Sequence, residues 1–266
     1  MAQVIEAVPR GHYRLQHVVK SEIIKVLTLP STAITLGLTV VADLLVTGLV
    51  TNAAVYHGGT GFDATQEALT GMIVAGLTAG VFGALLITAE YSSGTIRATL
   101  AATPKRPVLL VSKIGVTALT TVIFCEVLSF VSFFLGEAVL SGRAIPSANL
   151  GSPGAFRAIF MTGLFIALLA LMAFGFGLIC RSTAAAIAAF AGVVFVLPLV
   201  MHAISPGDVR YLPTNMLIDS VMSTVNQGAG PGGFGPLSPG IGLGLMAIYA
   251  AIAVAVGTAL FVKRDA

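Results

Sequence analysis

The chain has 266 residues, of which 56% are hydrophobic and only 9% charged, at a mean hydropathy of +0.98. Water-soluble domains carry about 25% charged residues, so this composition excludes a soluble globular protein and requires an integral membrane protein. A formal charge of +3, scattered along the chain, excludes the basic footprint of a nucleic-acid binder.

The first thirty residues contain no uninterrupted apolar core, so no cleaved signal peptide is expected. Residues 13–28, YRLQHVVKSEIIKVLT, predict a basic amphipathic helix along the membrane surface. Leu15, Val18, Val19, Ile23 and Val26 share one stripe, while Arg14, His17, Lys20 and Lys25 take other faces. Glu22 falls inside the apolar stripe, a costly place for a carboxylate unless it is paired. Lys25, three residues on, is the local partner, and a basic group on an inner loop such as Arg97 is the distant one.

A bilayer crossing takes about 20 apolar residues. Six runs qualify: Ala33–Tyr56, Leu69–Thr88, Ile114–Leu135, Ala158–Ile179, Ala184–Met201 and Ile241–Val262. The even count puts both termini on one side. Eleven Lys and Arg fall in the segments on that side and three, Arg143, Arg157 and Arg210, on the other, which predicts cytoplasmic termini. The expected fold is thus an all-α membrane protein with six transmembrane helices: an N-terminal cytoplasmic segment (1–32), a transmembrane domain (33–262) and a short cytoplasmic tail (263–266).

Asp43 lies near the middle of the first span and Glu126 inside the third, each costing about 2.5–3.5 kcal/mol at a helix centre unless it faces protein or water. Two readings stay open for each: a polar lining for a substrate route, or a buried hydrogen bond, Asp43 with Thr47 and Glu126 with Ser129. Cys125 and Cys180 sit in apolar runs and are expected to be reduced thiols. Gly and Ala recur through spans two, four and six, which permits close helix packing.

Between spans two and three the stretch LITAEYSSGTIRATLAATPKRP (86–107) is ordered and polar. Ser93, or Ser92 one residue earlier, is a suitable N-cap for a helix beginning near Gly94. Pro104 and Pro107 stop that helix by disfavouring helical backbone at the residue before each. Ile96 and Leu100, at i and i+4, would form a small apolar knob with Arg97 beside it. The outer connection 205–240 is long and rich in Gly and Pro, and within it PTNMLIDSVMSTV predicts a short helix. Leu217, Ile218, Val221, Met222 and Val225 share its apolar face, so it either lies in or re-enters the outer leaflet, or rests as a plain surface helix.

Three stretches carry a resemblance. AEYSSGTIRATLAATPKRPVLLVSK resembles the signature segment of ABC-2-type permeases, the membrane subunits of ATP-binding-cassette exporters, through Glu90, Gly94, Thr95, Arg97, Leu100 and Arg106. SEIIKVLTLPST is similar to that family's pre-membrane helix through Ser21, Glu22, Lys25 and Thr28, and YAAIAVAVGTALFVKRDA looks like the last span and basic tail of its actinobacterial-type members. The resemblance implies a type V exporter-like fold in a bacterial plasma membrane. It makes residues 93–103, with Ile96 among them, a coupling helix that docks on a separate ATPase subunit, with the N-terminal arm a connecting helix beside it. It also implies a permease homodimer with a pathway between the copies, in a four-chain complex bathed in membrane lipid, and short re-entrant helices in the last outer loop. Tyr91 and Lys105 stand at variable positions of the pattern.

No phosphate-binding loop G-x-x-x-x-G-K-[ST] occurs, so ATP and Mg are expected on the partner ATPase and no cofactor on this chain. An intramembrane hydrolase is disfavoured: Gly-x-Ser-x-Gly is absent, and His12, His17, His57 and His202 have no metal-ligand spacing. A proton-coupled secondary transporter using Asp43 and Glu126 is the rival class; it would usually show repeats and broken helices, which the sequence does not reveal.

Overall fold

The structure, a computed structural model, describes residues 15–56, 62–102, 106–223, 235 and 237–263, with only the backbone of Leu15, Arg97, Leu100, Ala102 and Arg106. Arg10, Arg14, His12, His57, Lys105 and Val225 of the sequence reading lie outside it. The described residues are helical or connecting, and six helical segments are long and apolar enough to cross a membrane, making this a multi-pass membrane protein.

Helix α1 (Leu15–Thr28) stops at Leu29, because Pro30 restricts the residue before it while fitting the first turn of α2 (Pro30–Ala53). The first span thus begins three residues earlier than its apolar run. Helix α2 is polar on its buried face, with Thr32, Thr39, Asp43, Thr47 and Thr51, and apolar on its exposed face, with Ile34, Leu38, Val41, Leu45 and Leu49. That inversion suits a helix with lipid outside. Two of these hydroxyls bond within the helix: Thr39 donates to the Thr35 carbonyl (2.9 Å) and Thr51 to that of Thr47 (2.7 Å).

The second span is α3 (Ala64–Leu69) and α4 (Gly71–Ser92), interrupted at Thr70. Asp63 caps α3 by accepting from the Gln66 amide at 3.1 Å. After α5 (Thr95–Ala102), α6 (Arg106–Gly142) runs for 37 residues. At 1.5 Å per residue it spans about 55 Å, well beyond the hydrocarbon thickness of about 30 Å. Helix α7 (Ala155–Cys180) is the most buried span and packs against α4, α6 and α11 (Pro239–Lys263). Small residues set these approaches: a Cβ on Gly83 would strike the Ala170 carbonyl, and one on Gly175 would meet Ala253 of α11. Cys125 and Cys180 are both free.

The fifth span is α8 (Thr183–Ala191), a π-turn over Gly192–Val196, and α9 (Leu197–Ile204). Pro198 cannot donate to the Val194 carbonyl four residues earlier, and the Thr214 hydroxyl supplies that bond from the next connection. Thr214 belongs to α10 (Pro213–Val221), which turns its buried residues Met216, Leu217, Ser220 and Val221 into the bundle against α7 and α11. The short helix of the long loop is therefore seated in the protein rather than resting on its surface. Its buried face contains Leu217 and Val221 as expected, but also Met216 and Ser220.

Candidate functional site

Four ionised side chains from three helices close into a ring where α1, α4 and α6 meet. Lys113 of α6 donates to Glu22 Oε2 of α1 at 2.7 Å and to Glu90 Oε1 of α4 at 2.5 Å. Lys25 of α1 donates to Glu22 Oε1 at 2.8 Å and to the same Glu90 Oε1 at 2.9 Å. The charges alternate around the cycle, and the Lys113 side chain is only 3% exposed. Burial opposes the charge of Lys25, but its hydrogen bonds and attraction to Glu22 and Glu90 outweigh that and raise its pKa above the ordinary lysine value.

The ring resolves the placement of Glu22. Val18 and Glu22 face the protein, while Ile23 is 39% exposed and Ile24 and Leu27 also point outward. Of the apolar stripe read from the sequence, Val18 is thus turned to the protein and Ile23 to the outside. Glu22 pairs locally with Lys25, as one reading had it, and at long range with Lys113 instead of an inner-loop base. Sequence reasoning missed Lys113 as a site residue. In the sequence it reads as a basic residue at the inner end of the third span, where a lysine can reach the interface without a carboxylate.

The turn after α4 departs from the capping expectation. Ser92 and Ser93 both donate their hydroxyls to the Ala89 carbonyl, at 3.1 and 2.7 Å, so they finish α4 and do not cap α5. Gly94 takes φ +70°, a left-handed conformation that suits glycine, and Thr95 starts α5. Ile96 is 4% exposed and packs with Ile87, Leu110 and Phe174, so it anchors α5 to the spans and is no outward knob. Among the described side chains of α5, Thr95, Ala98 and Ala101 are exposed. The side chains of Arg97, Leu100 and Arg106 and all of residues 103–105 lie outside the described residues. Glu90, just before this turn, accepts from Lys113 and Lys25.

A cavity of about 420 Å³ adjoins the ring, with Phe82, Leu86, Val116 and Phe174 as its apolar wall and the α1–α2 elbow and the α4–α5 turn as its rim. The family model described as a protein of unknown function (DUF2705) matches residues 55–266. The chain belongs to the DUF2705 family. No curated protein matches it. The DUF2705 match includes Glu90 and Lys113 but stops short of Glu22 and Lys25, so half of the ring lies in the family region and half precedes it.

The intramembrane carboxylates of this DUF2705 chain sit elsewhere. Asp43 is fully buried and accepts from Ser132 of α6 at 3.3 Å; Thr47, its expected partner, instead shares a 2.8 Å bond with Ser132. Its Oδ2 has no hydrogen-bond partner among the described residues. Glu126 does not pair with Ser129, whose hydroxyl donates to the Ile159 carbonyl at 2.7 Å. It lies against Gly163 of α7 and faces the Leu164 amide, with neither oxygen in a hydrogen bond of normal geometry among the described residues.

At the opposite end from the ring, arginines tie the connections down. Arg143 donates to the Thr51 and Ala54 carbonyls at 3.2 and 2.8 Å, closing the end of α2. Arg157 donates to the Met222 and Ser223 carbonyls at 3.0 and 2.9 Å, and Ser223 bonds both oxygens of Asp63, which holds α10 to the start of α3. Among the described residues no group of three His, Cys, Asp or Glu side chains is placed to hold a metal ion.

Proposed function

We propose that the chain is the membrane subunit of an ABC-2-type exporter in a bacterial plasma membrane, with cytoplasmic termini and a separate ATPase that binds ATP and Mg. The observation that carries this reading is the buried ring. It joins the arm α1 to the end of α4 and the start of α6, the helices on either side of α5. The resemblance assigns ATPase docking to α5 and makes α1 the connecting helix beside it. Buried, doubly bonded charges resist shear, so a push on α5 or α1 reaches three helices as one body. Ile96 reinforces the linkage by fixing α5 to α4, α6 and α7.

Introducing Glu at Ala98 or Ala101 tests this. Both positions are exposed, so expression, membrane insertion and thermal stability should stay at wild-type values. Copurification with a co-expressed ABC ATPase subunit, and ATP-dependent transport, should be lost. Wild-type association in both variants overturns the reading. A second reading, a proton-coupled transporter, is favoured by the unpartnered oxygens of Asp43 and Glu126 and by the interruptions of the second and fifth spans. It requires transport that survives without any ATPase, collapses with an uncoupler and changes in Asp43→Asn.

A further inference from the structure

The cavity beside the ring has both the shape and the unused bonding capacity of a binding site. Its volume of about 420 Å³ lies within the usual range for small-molecule pockets. The ring that borders it holds two lysines and two glutamates, so it is neutral overall and favours neither a net anion nor a net cation. Capacity of both signs is nevertheless left over. Glu90 Oε2 is buried and accepts nothing among the described residues. Lys113, nearly fully buried, has three N–H donors and uses two of them among those residues. A buried acceptor and a buried donor left idle side by side each cost stability, and one ligand bearing both complements satisfies them together.

The rim says where that ligand comes from. Val26, Thr28 and Leu29 of the α1–α2 elbow line the cavity, and Ile24 and Leu27, 49% and 77% exposed, make the outward face of the same helix apolar. That is a surface for acyl chains. The apolar wall of Phe82, Leu86, Val116 and Phe174 accepts the glycerol end of a lipid or the body of another amphiphile. We infer that this cavity binds an amphiphile with a zwitterionic head, its ammonium N–H groups on Glu90 Oε2 and its phosphate oxygen on the free N–H of Lys113 or Lys25. An aminophospholipid of the surrounding bilayer fits this chemistry. A phosphatidylcholine does not, because its quaternary ammonium has no N–H to donate. The inference depends on the ring and the cavity and is independent of the ATPase reading.

The test is native mass spectrometry of the full chain released from nanodiscs of equal phosphatidylethanolamine, phosphatidylcholine and phosphatidylglycerol. One phosphatidylethanolamine should be retained per chain, with a preference over phosphatidylcholine of roughly tenfold, the size of one hydrogen bond to a charged group. Glu90→Gln should abolish that preference. Thr35→Phe, which fills the cavity without touching the ring, should release the lipid while thermal unfolding shows the bundle intact, so the test holds even if Glu90→Gln fails to fold. In nanodiscs without phosphatidylethanolamine, protection of the chain from unfolding by soluble O-phosphoethanolamine would assign the same head chemistry to a free ligand. Equal retention of the three lipids, or unchanged retention in Thr35→Phe, overturns the proposal.

Discussion

Lys113 shows what a single buried charge commits its neighbours to. Without it, Glu22 and Glu90 would keep only the half-exposed Lys25 between them. Breaking a buried pair by removing one partner costs about 3–5 kcal/mol, because the survivor stays desolvated, whereas removing both partners is far milder. Lys113→Met should therefore lower the unfolding free energy in detergent by about that amount, and Glu90→Gln combined with Lys113→Gln should recover part of it. Additive losses in this cycle would mean that the ring is not a unit. In the sequence Glu22 was legible as an anomaly, since a carboxylate broke an apolar stripe, and its link to Lys25 followed from local spacing. Lys113 was not, because 91 residues separate it from Glu22 and no helical period spans that distance. The same limit misplaced the partners of Asp43 and Glu126, where an i+3 or i+4 hydroxyl on the same helix was expected and a neighbouring helix stands there instead.

Elements were legible where the bilayer dictates them and less so where tertiary contacts do. The six apolar runs all became spans, with ends shifted by a few residues, whereas the capping of α5 went to Gly94 because both serines were drawn back onto α4. For α10, the apolar face was readable but its seat was not, since that is set by packing against α7 and α11, far away in the sequence. One titrating group belongs to this element. Burial pushes Asp219 up to about 6, against the opposing effect of the Leu237 amide that donates to it at 3.1 Å. A carboxyl with a raised folded pKa binds its proton more tightly folded than unfolded, so its contribution favours the folded state below the ordinary value near 4. That contribution fades as pH rises through the interval from about 4 to 6. Amide exchange in α10 should accelerate across that interval relative to α7, and Asp219→Asn should remove the dependence. An unchanged profile in Asp219→Asn would assign it to another group.

For the whole molecule, burial is distributed as lipid requires: α7 is enclosed, while α2, α9 and α11 show rows of exposed Leu, Ile and Val. The span count was legible from hydropathy alone, but not that α7 is the centre, because nearly every span is apolar on all sides and the sequence carries no inward face to find. The polar stripe of α2 is the exception, and its buried Thr, Asp and Thr at four-residue spacing mark a protein-facing side. One chain also supplies one α5, one ring and one set of six spans. If α5 receives the stroke of an ATPase, and such ATPases work in pairs around two nucleotides, two copies of this chain are needed to use both strokes. Purified with its ATPase in detergent, the 27.1 kDa chain should be found in a complex of two membrane subunits and two ATPases by mass photometry. On that reading the ring lies behind the contact surface and passes motion on from it, so Lys113→Met should weaken transport more than assembly. A stable lone chain that transports at the full rate would remove the reason for a second copy, and the coupling role of the ring with it.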